Sequence, residues 1–238
     1  MKNIAILTAA GVGSRMKQDV PKQFLSVNNK PVIVYTLEIF QNHPEIDEIV
    51  VACLKGWEGV LDAYAKQFNI TKLAKIVEGG KDGQGSIKNC LDYVAEKEGV
   101  ADNIVLIHDG NRPMLSADII SNAIVCCKKH GNAVAAIPCP EVLMESKDGK
   151  TASGMIDRDL VKRTQTPHVF YLKELLEAHE EAEKKKLSRA VASCALYQML
   201  GKEVFFVDGS EKNLKLTTVD DIDIFNALLA VRREEWLK

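Results

Sequence analysis

The sequence predicts an α/β fold: a Rossmann-like, mostly parallel sheet with helices on both faces and one projecting β-arm. Two observations predict it. Short apolar runs alternate with segments of helical period along the 238 residues, and that alternation is the pattern of a parallel sheet covered on both sides. One stretch, residues 139–166, breaks the rhythm with "ESKDGKTASGMIDRD" and a turn at Lys147-Asp148-Gly149, which reads as a β-hairpin. With no repeat, linker or composition shift, the reading is one domain, 1–238, with 139–166 inserted as the arm.

Taken in order, residues 3–8 form the first apolar strand, and a loop follows it. A helical pattern covers 31–41, a strand 48–53, a helix 58–68 and a strand 75–78. A helix at 85–97 leads to a strand at 103–108. The next helix, 117–130, has Ser116 as its expected N-cap and Gly131 as its stop. A strand at 133–138 precedes the arm, and a helix at 172–185, a strand at 203–207 and a last helix from about 219 to 238 complete the chain.

The totals exclude some functions. A composition of 46% hydrophobic and 27% charged residues is ordinarily globular. A net charge of −2 argues against a general nucleic-acid binder, which is normally basic. No apolar run reaches the roughly 20 residues of a membrane helix. The apolar run that follows Lys2 is too short for a signal peptide, which points to the cytoplasm. The six cysteines form no Cys-x-x-Cys pair and lie mostly among apolar residues, so they read as buried small hydrophobes rather than zinc ligands.

In parallel sheets, ligands bind beyond the carboxyl ends of the strands, so the loops there carry the functional candidates. The first is "LTAAGVGSRMKQDVPKQF". Backbone N–H groups around Ala10, Gly11 and Gly13 can approach an anion closely. Arg15 offers a fork to phosphate oxygens and Lys22 a compact charge. The spacing is neither Gly-x-Gly-x-x-Gly nor a P-loop. The second loop, residues 78–86, holds four glycines and Ser86; it is either a simple turn or a seat for a nucleobase. In the third, "HDGNRP", Asp109 follows a buried strand, placed either to hold Mg²⁺ or to cap a helix, and His108 reads as a satisfied strand-end residue. In the fourth, "NLKLTTVDDI", Lys215 alternates with apolar neighbours and faces away from them, as a surface lysine or a site residue.

"AAGVGSRM…PKQF", "HDGNRP", "RTQTPH" and "NLKLTTVDDI", in this order, resemble the cytidylyltransferases that activate polyol phosphates, the 2-C-methyl-D-erythritol 4-phosphate and ribitol-5-phosphate cytidylyltransferases. The resemblance covers nearly the whole chain. It implies a Mg²⁺-dependent transfer from CTP to a polyol phosphate, with Arg15, Lys22 and Lys215 as the cations around the triphosphate. It implies Asp109 near the metal and the polyol, Gly80 and Ser86 as readers of cytosine, and Arg112, Arg158 and Thr166 as polyol-phosphate contacts. It also implies a homodimer held partly by the arm. Methylerythritol phosphate is the first expectation for the acceptor and ribitol 5-phosphate the alternative. Three places depart from the family pattern: Gly83 replaces an Arg, Glu141-Val142 replaces Asp-Thr on the arm, and Val191-Ala192-Ser193 replaces Thr-Asp. These leave the reaction standing and the acceptor open. The rival readings are a nucleotidyltransferase of another nucleotide and a CTP-binding paralogue without turnover.

Overall fold

The computed structural model describes residues 1–11, 20–187 and 190–231. Seven strands form one sheet: β1 (Asn3–Ala9), β4 (Glu48–Cys53), β5 (Leu73–Glu78), β6 (Ile104–Asp109), β7 (Asn132–Pro138), β10 (Lys162–Tyr171) and β11 (Phe206–Asp208). Their order is β11-β7-β10-β6-β1-β4-β5. β1 pairs in parallel with both β4 and β6, β5 with β4, and β11 with β7. β10 runs antiparallel between β6 and β7. The expected mostly parallel sheet is present, with this one reversed strand added.

β1 lies inside the sheet between β6 and β4, and nearly all of it is apolar and buried. Ala5, Leu7 and Ala9 pack on one side against α1 (Val32–Asn42), α2 (Glu58–Gln67) and α4 (Ala117–His130). Ile4 and Ile6 pack on the other against α3 (Gly83–Glu98), α5 (Leu172–Lys184) and α6 (Ser193–Met199). That period of two is what a doubly covered strand requires. Gly131 ends α4 at φ 92° and donates its N–H to the Cys127 carbonyl at 2.8 Å, as expected of a left-handed stop. Ser116 stands at the N-cap without a side-chain cap bond. The six cysteines are free thiols, five of them buried.

Two expectations change. The arm is a hairpin of β8 (Leu143–Glu145) and β9 (Gly154–Ile156), but it ends before Lys162, because residues 162–165 pair with β7 in the main sheet. α6 occupies a stretch to which the sequence assigns no element. α7 (Val219–Ala230) begins in a capping box: Thr218 accepts from the Asp221 N–H and Asp221 reaches back to the Thr218 N–H. Its Phe225 is buried with Val32, Leu216 and Val27 of the small β2 (Ser26–Val27) and β3 (Lys30–Pro31) ribbon. The part of the last helix expected over 232–238 lies outside the described residues.

Candidate active site at the mouth of the central strands

The chain passes from β1 to β4 and β5 on one side, then returns to β6 on the other. The order reverses between β1 and β6, where α/β sheets open a crevice at the strand ends. A cleft of about 690 Å³ opens there. Thr8 of β1 stands in register with Asp109 of β6 at its floor. Ala10, Gly11, Lys22, Gly80, Ser86, Asp109, Arg112, Thr166 and Lys215 all line it. The structure thus gathers nearly every expected site residue from seven separate stretches of chain. Gly13 and Arg15 lie outside the described residues. Arg158 is not among the lining residues; it sits in a short 3₁₀ turn at the base of the arm, and its Nη1 donates to the Pro140 carbonyl at 2.8 Å.

Two banks face each other. One is built from backbone. A Cβ on Gly79 would lie 2.2 Å from the Ala10 Cβ, and one on Gly80 would lie 2.4 Å from the Gly85 carbonyl carbon. Both glycines are therefore demanded by the close approach of this loop to the β1 loop and to the start of α3. Asp82 caps α3, accepting the Gly85 N–H at 2.8 Å. The Ser86 hydroxyl accepts the Gly80 N–H at 3.0 Å and donates to the Asp82 carbonyl at 2.9 Å, so it shapes this bank from inside. Residues 80–84, at the positive end of the α3 dipole, line the cleft.

The other bank carries charge. Lys215 Nζ lies 2.9 Å from Asp109 Oδ1, and Arg112 Nε donates to Asp109 Oδ2 at 2.9 Å. Burial alone would raise the Asp109 pKa, but the Lys215 and Arg112 charges and hydrogen bonds outweigh it and hold the carboxyl below its ordinary range. Arg112 Nη1 also donates to the Asn213 carbonyl at 2.7 Å. The Asn111 side chain donates to the Leu216 carbonyl, and the Leu216 N–H returns to the Asn111 carbonyl at 2.9 Å. These ties, with Leu216 anchored beside Phe225, fix the segment that presents Lys215. Lys215 thus faces away from its apolar neighbours, as its alternation predicts.

Beneath Asp109 the polar groups satisfy one another. The Thr166 hydroxyl oxygen accepts the Asp109 N–H at 3.0 Å and lies 3.0 Å from His108 Nδ1; His108 Nε2 lies 3.2 Å from the Arg112 carbonyl. A neutral imidazole with Nε2–H donating to the carbonyl and Nδ1 accepting from Thr166 meets every one of these contacts. Burial pushes the His108 pKa down to about 4, which keeps it neutral. His108 is a satisfied strand-end residue, as read from the sequence.

Sequence reasoning missed three contributors. Gln23, inside "PKQF", is buried on the cleft wall. Asn213 is fully buried and donates to the Thr166 carbonyl at 2.8 Å. Gln165 joins the same knot, donating to the Ser210 carbonyl at 2.9 Å. A polar amide directly before an apolar residue was the only local signal in Gln23 and Asn213. Two of the three departures from the family pattern, Gly83 and residues 191–193, also line the cleft.

Among the described residues no group of three or more His, Cys, Asp or Glu is placed to hold a metal. The residues fit a more modest arrangement: Mg²⁺ takes one or two carboxylates and completes its shell with phosphate and water, and Asp109 is an ionised carboxylate at the cleft floor.

The sequence was compared with known proteins. A family model described as 2-C-methyl-D-erythritol 4-phosphate cytidylyltransferase matches residues 3–231. A ribitol-5-phosphate cytidylyltransferase of Lacticaseibacillus paracasei is 40% identical over 94% of this chain and 97% of its own length. A 2-C-methyl-D-erythritol 4-phosphate cytidylyltransferase of Clostridium botulinum is 35% identical over 96% and 97% respectively. The solved structure of the Thermus thermophilus 2-C-methyl-D-erythritol 4-phosphate cytidylyltransferase superposes with a TM-score of 0.76 at 28% identity, covering 97% of this chain and 100% of that one. The match runs from the first strand to the end of α7 and takes in both banks of the cleft, so the chain belongs to the 2-C-methyl-D-erythritol 4-phosphate cytidylyltransferase family.

Proposed function

We propose that the chain joins CTP to a polyol phosphate, giving a CDP-polyol and pyrophosphate. The observation that carries this reading is the opposition of the two banks: backbone donors and a helix N-terminus on one side, Lys215 and Arg112 around Asp109 on the other, with Lys22 in the same cleft. An acceptor phosphate oxygen is already ionised at neutral pH, so attack on the α-phosphorus needs no strong base, and neutral His108 is not asked to be one. The bond from the α-phosphorus to the departing pyrophosphate breaks as the new oxygen–phosphorus bond forms. Charge grows on the α-phosphoryl oxygens and the leaving group, where fixed cations and positioning supply the catalysis. Lys22, Arg15 and Lys215 face the triphosphate, and Arg112 steers the acceptor phosphate toward it. Mg²⁺, when bound with the triphosphate, neutralises charge between its phosphates, and Asp109 is the residue that would hold it.

For the acceptor we place ribitol 5-phosphate first, because the ribitol-5-phosphate relative shares more identity over a comparable span than the methylerythritol relative does. Methylerythritol 4-phosphate is the second reading, favoured by the family model and the solved structure. Pyrophosphate release with CTP, Mg²⁺ and each acceptor tests both: faster turnover on ribitol 5-phosphate is expected, faster turnover on methylerythritol 4-phosphate reverses the order, and silence with every polyol phosphate removes the reading. The chain also pairs with a second copy through the arm, where Val142, Met144, Met155 and Leu160 are 66%, 56%, 72% and 85% exposed, an apolar set that favours burial against a partner. Sedimentation should show a dimer that Met155→Lys converts toward monomer.

A further inference from the structure

Gln23 follows Lys22 directly and is only 2% exposed. Its Nε2 donates to the Ala9 carbonyl at 2.7 Å and to the Gly11 carbonyl at 3.1 Å. Both amide hydrogens are therefore given to the chain leaving β1. The Ala9 carbonyl also accepts the Leu54 N–H at 3.2 Å, which ties this point to the end of β4. The next residue, Phe24, is 3% exposed and stacks on Trp57, with ring centroids 4.7 Å apart and planes at 22°. The turn between them is closed by the Phe24 N–H on the Pro21 carbonyl at 2.8 Å. Three consecutive residues thus have three tasks: Lys22 lines the cleft, Gln23 spans the neck of the loop, and Phe24 docks the turn.

We propose that Gln23 is a positioning residue, whose amide joins the two limbs of the loop after β1 and so sets where Lys22 stands relative to the backbone donors of Ala10 and Gly11. This rests on the reading that those donors and Lys22 meet one triphosphate. A lysine side chain is long and flexible, so its ammonium is placed only as well as its backbone is. The Gln23 bridge ties the Ala9 and Gly11 carbonyls to the turn that carries Lys22 before nucleotide arrives. Filling space does not explain the residue. A methionine would fill the same volume, and burying an amide is unfavourable unless its hydrogen bonds are made, as both are here.

Gln23→Met keeps the volume and removes both donors. Gln23→Glu keeps the shape and sets a carboxylate against two carbonyls. Pyrophosphate release with CTP should fall by about 10- to 100-fold in each, since a displacement near 1 Å has effects of that size, while the melting temperature of Gln23→Met stays within a few degrees of wild type. The deciding readout is a double-mutant cycle with Lys22→Ala. With no ammonium left to place, Gln23→Met should change the rate of Lys22→Ala by less than about threefold. An equal loss in both backgrounds overturns the proposal and makes Gln23 merely structural. If Gln23→Met does not fold, Gln23→Asn, the same amide one methylene shorter, goes through the same cycle. Wild-type turnover with an undiminished Gln23→Met overturns the proposal and leaves cytidylyl transfer intact. No wild-type turnover on any polyol phosphate overturns cytidylyl transfer and this proposal with it.

Discussion

Replacing Lys215 by methionine keeps the side-chain stem and deletes one charge, and the structure says activity and stability should then part company. The ammonium is 2.9 Å from Asp109 Oδ1, and at an effective dielectric near 20 the gross attraction is about 6 kcal/mol. Little of that reaches stability. The Lys215 side chain is 40% exposed, and such pairs are worth about 1 kcal/mol or less after screening and side-chain ordering. Asp109 also retains Arg112, held in place by the Asn213 carbonyl. A loss of 1 kcal/mol in a chain of this size lowers Tm by about 2–4 °C. Turnover is different, because a fixed cation facing developing phosphoryl charge is worth about 10²–10³ in kcat. Calorimetry and continuous pyrophosphate detection on Lys215→Met should therefore show a small Tm shift beside a large fall in kcat. Turnover within threefold of wild type would refute the catalytic placement of Lys215. A Tm fall beyond about 10 °C would refute the view that its ion pair is a minor part of the fold.

Other outcomes follow from the same contacts. Burial pushes both His108 and His168 down to about 4, so the stability they contribute is complete above the unfolded value near 6.5 and lost as pH falls toward 4. Urea unfolding should show a slope of up to about 1.4 kcal/mol per pH unit for each histidine in that window, and His168→Gln should reduce it by one histidine's share; a flat profile would contradict their neutrality. Gly80→Ala should lower Tm by about 2–12 °C, because its Cβ must displace backbone. Gly11→Ala, whose Cβ would meet nothing within 4 Å, should leave Tm within about 2 °C and raise KM for CTP instead; an unchanged KM would mean no ligand approaches there. Ser86→Ala strands the Gly80 N–H, while the Asp82 carbonyl keeps the Ser86 N–H, and denaturant melts should show a loss of about 1–3 kcal/mol.

Much of this architecture was legible because the physics that builds it is local. β1, β4, β6 and β7 are buried on both faces, so they appear as unbroken apolar runs that need no partner to be recognised. Gly131 was readable for the same reason, since it closes its own helix end. β10 was not. It opens with exposed Lys162, Arg163 and Thr164 and contains Pro167, and a proline within a run argues against a central strand; only its two neighbours make it one. The charged bank was half legible. Lys215 and Asp109 were conspicuous as ions beside apolar runs, whereas their 2.9 Å pairing joins segments 106 residues apart. Gln23 and Asn213 were hard to single out because a buried amide is marked by the carbonyls it serves, and those lie elsewhere along the chain.

The reversed strand has a mechanical consequence. β10 emerges from the base of the arm at Lys162 and runs through the sheet to Tyr171, with a register shift between Gln165 and His168. Midway it bears Thr166, whose hydroxyl and carbonyl grip Asp109, His108 and Asn213. A pull on the arm is thus a pull on a rod threaded past the catalytic floor. Whatever seizes the hairpin therefore bears on the floor of the cleft through Thr166.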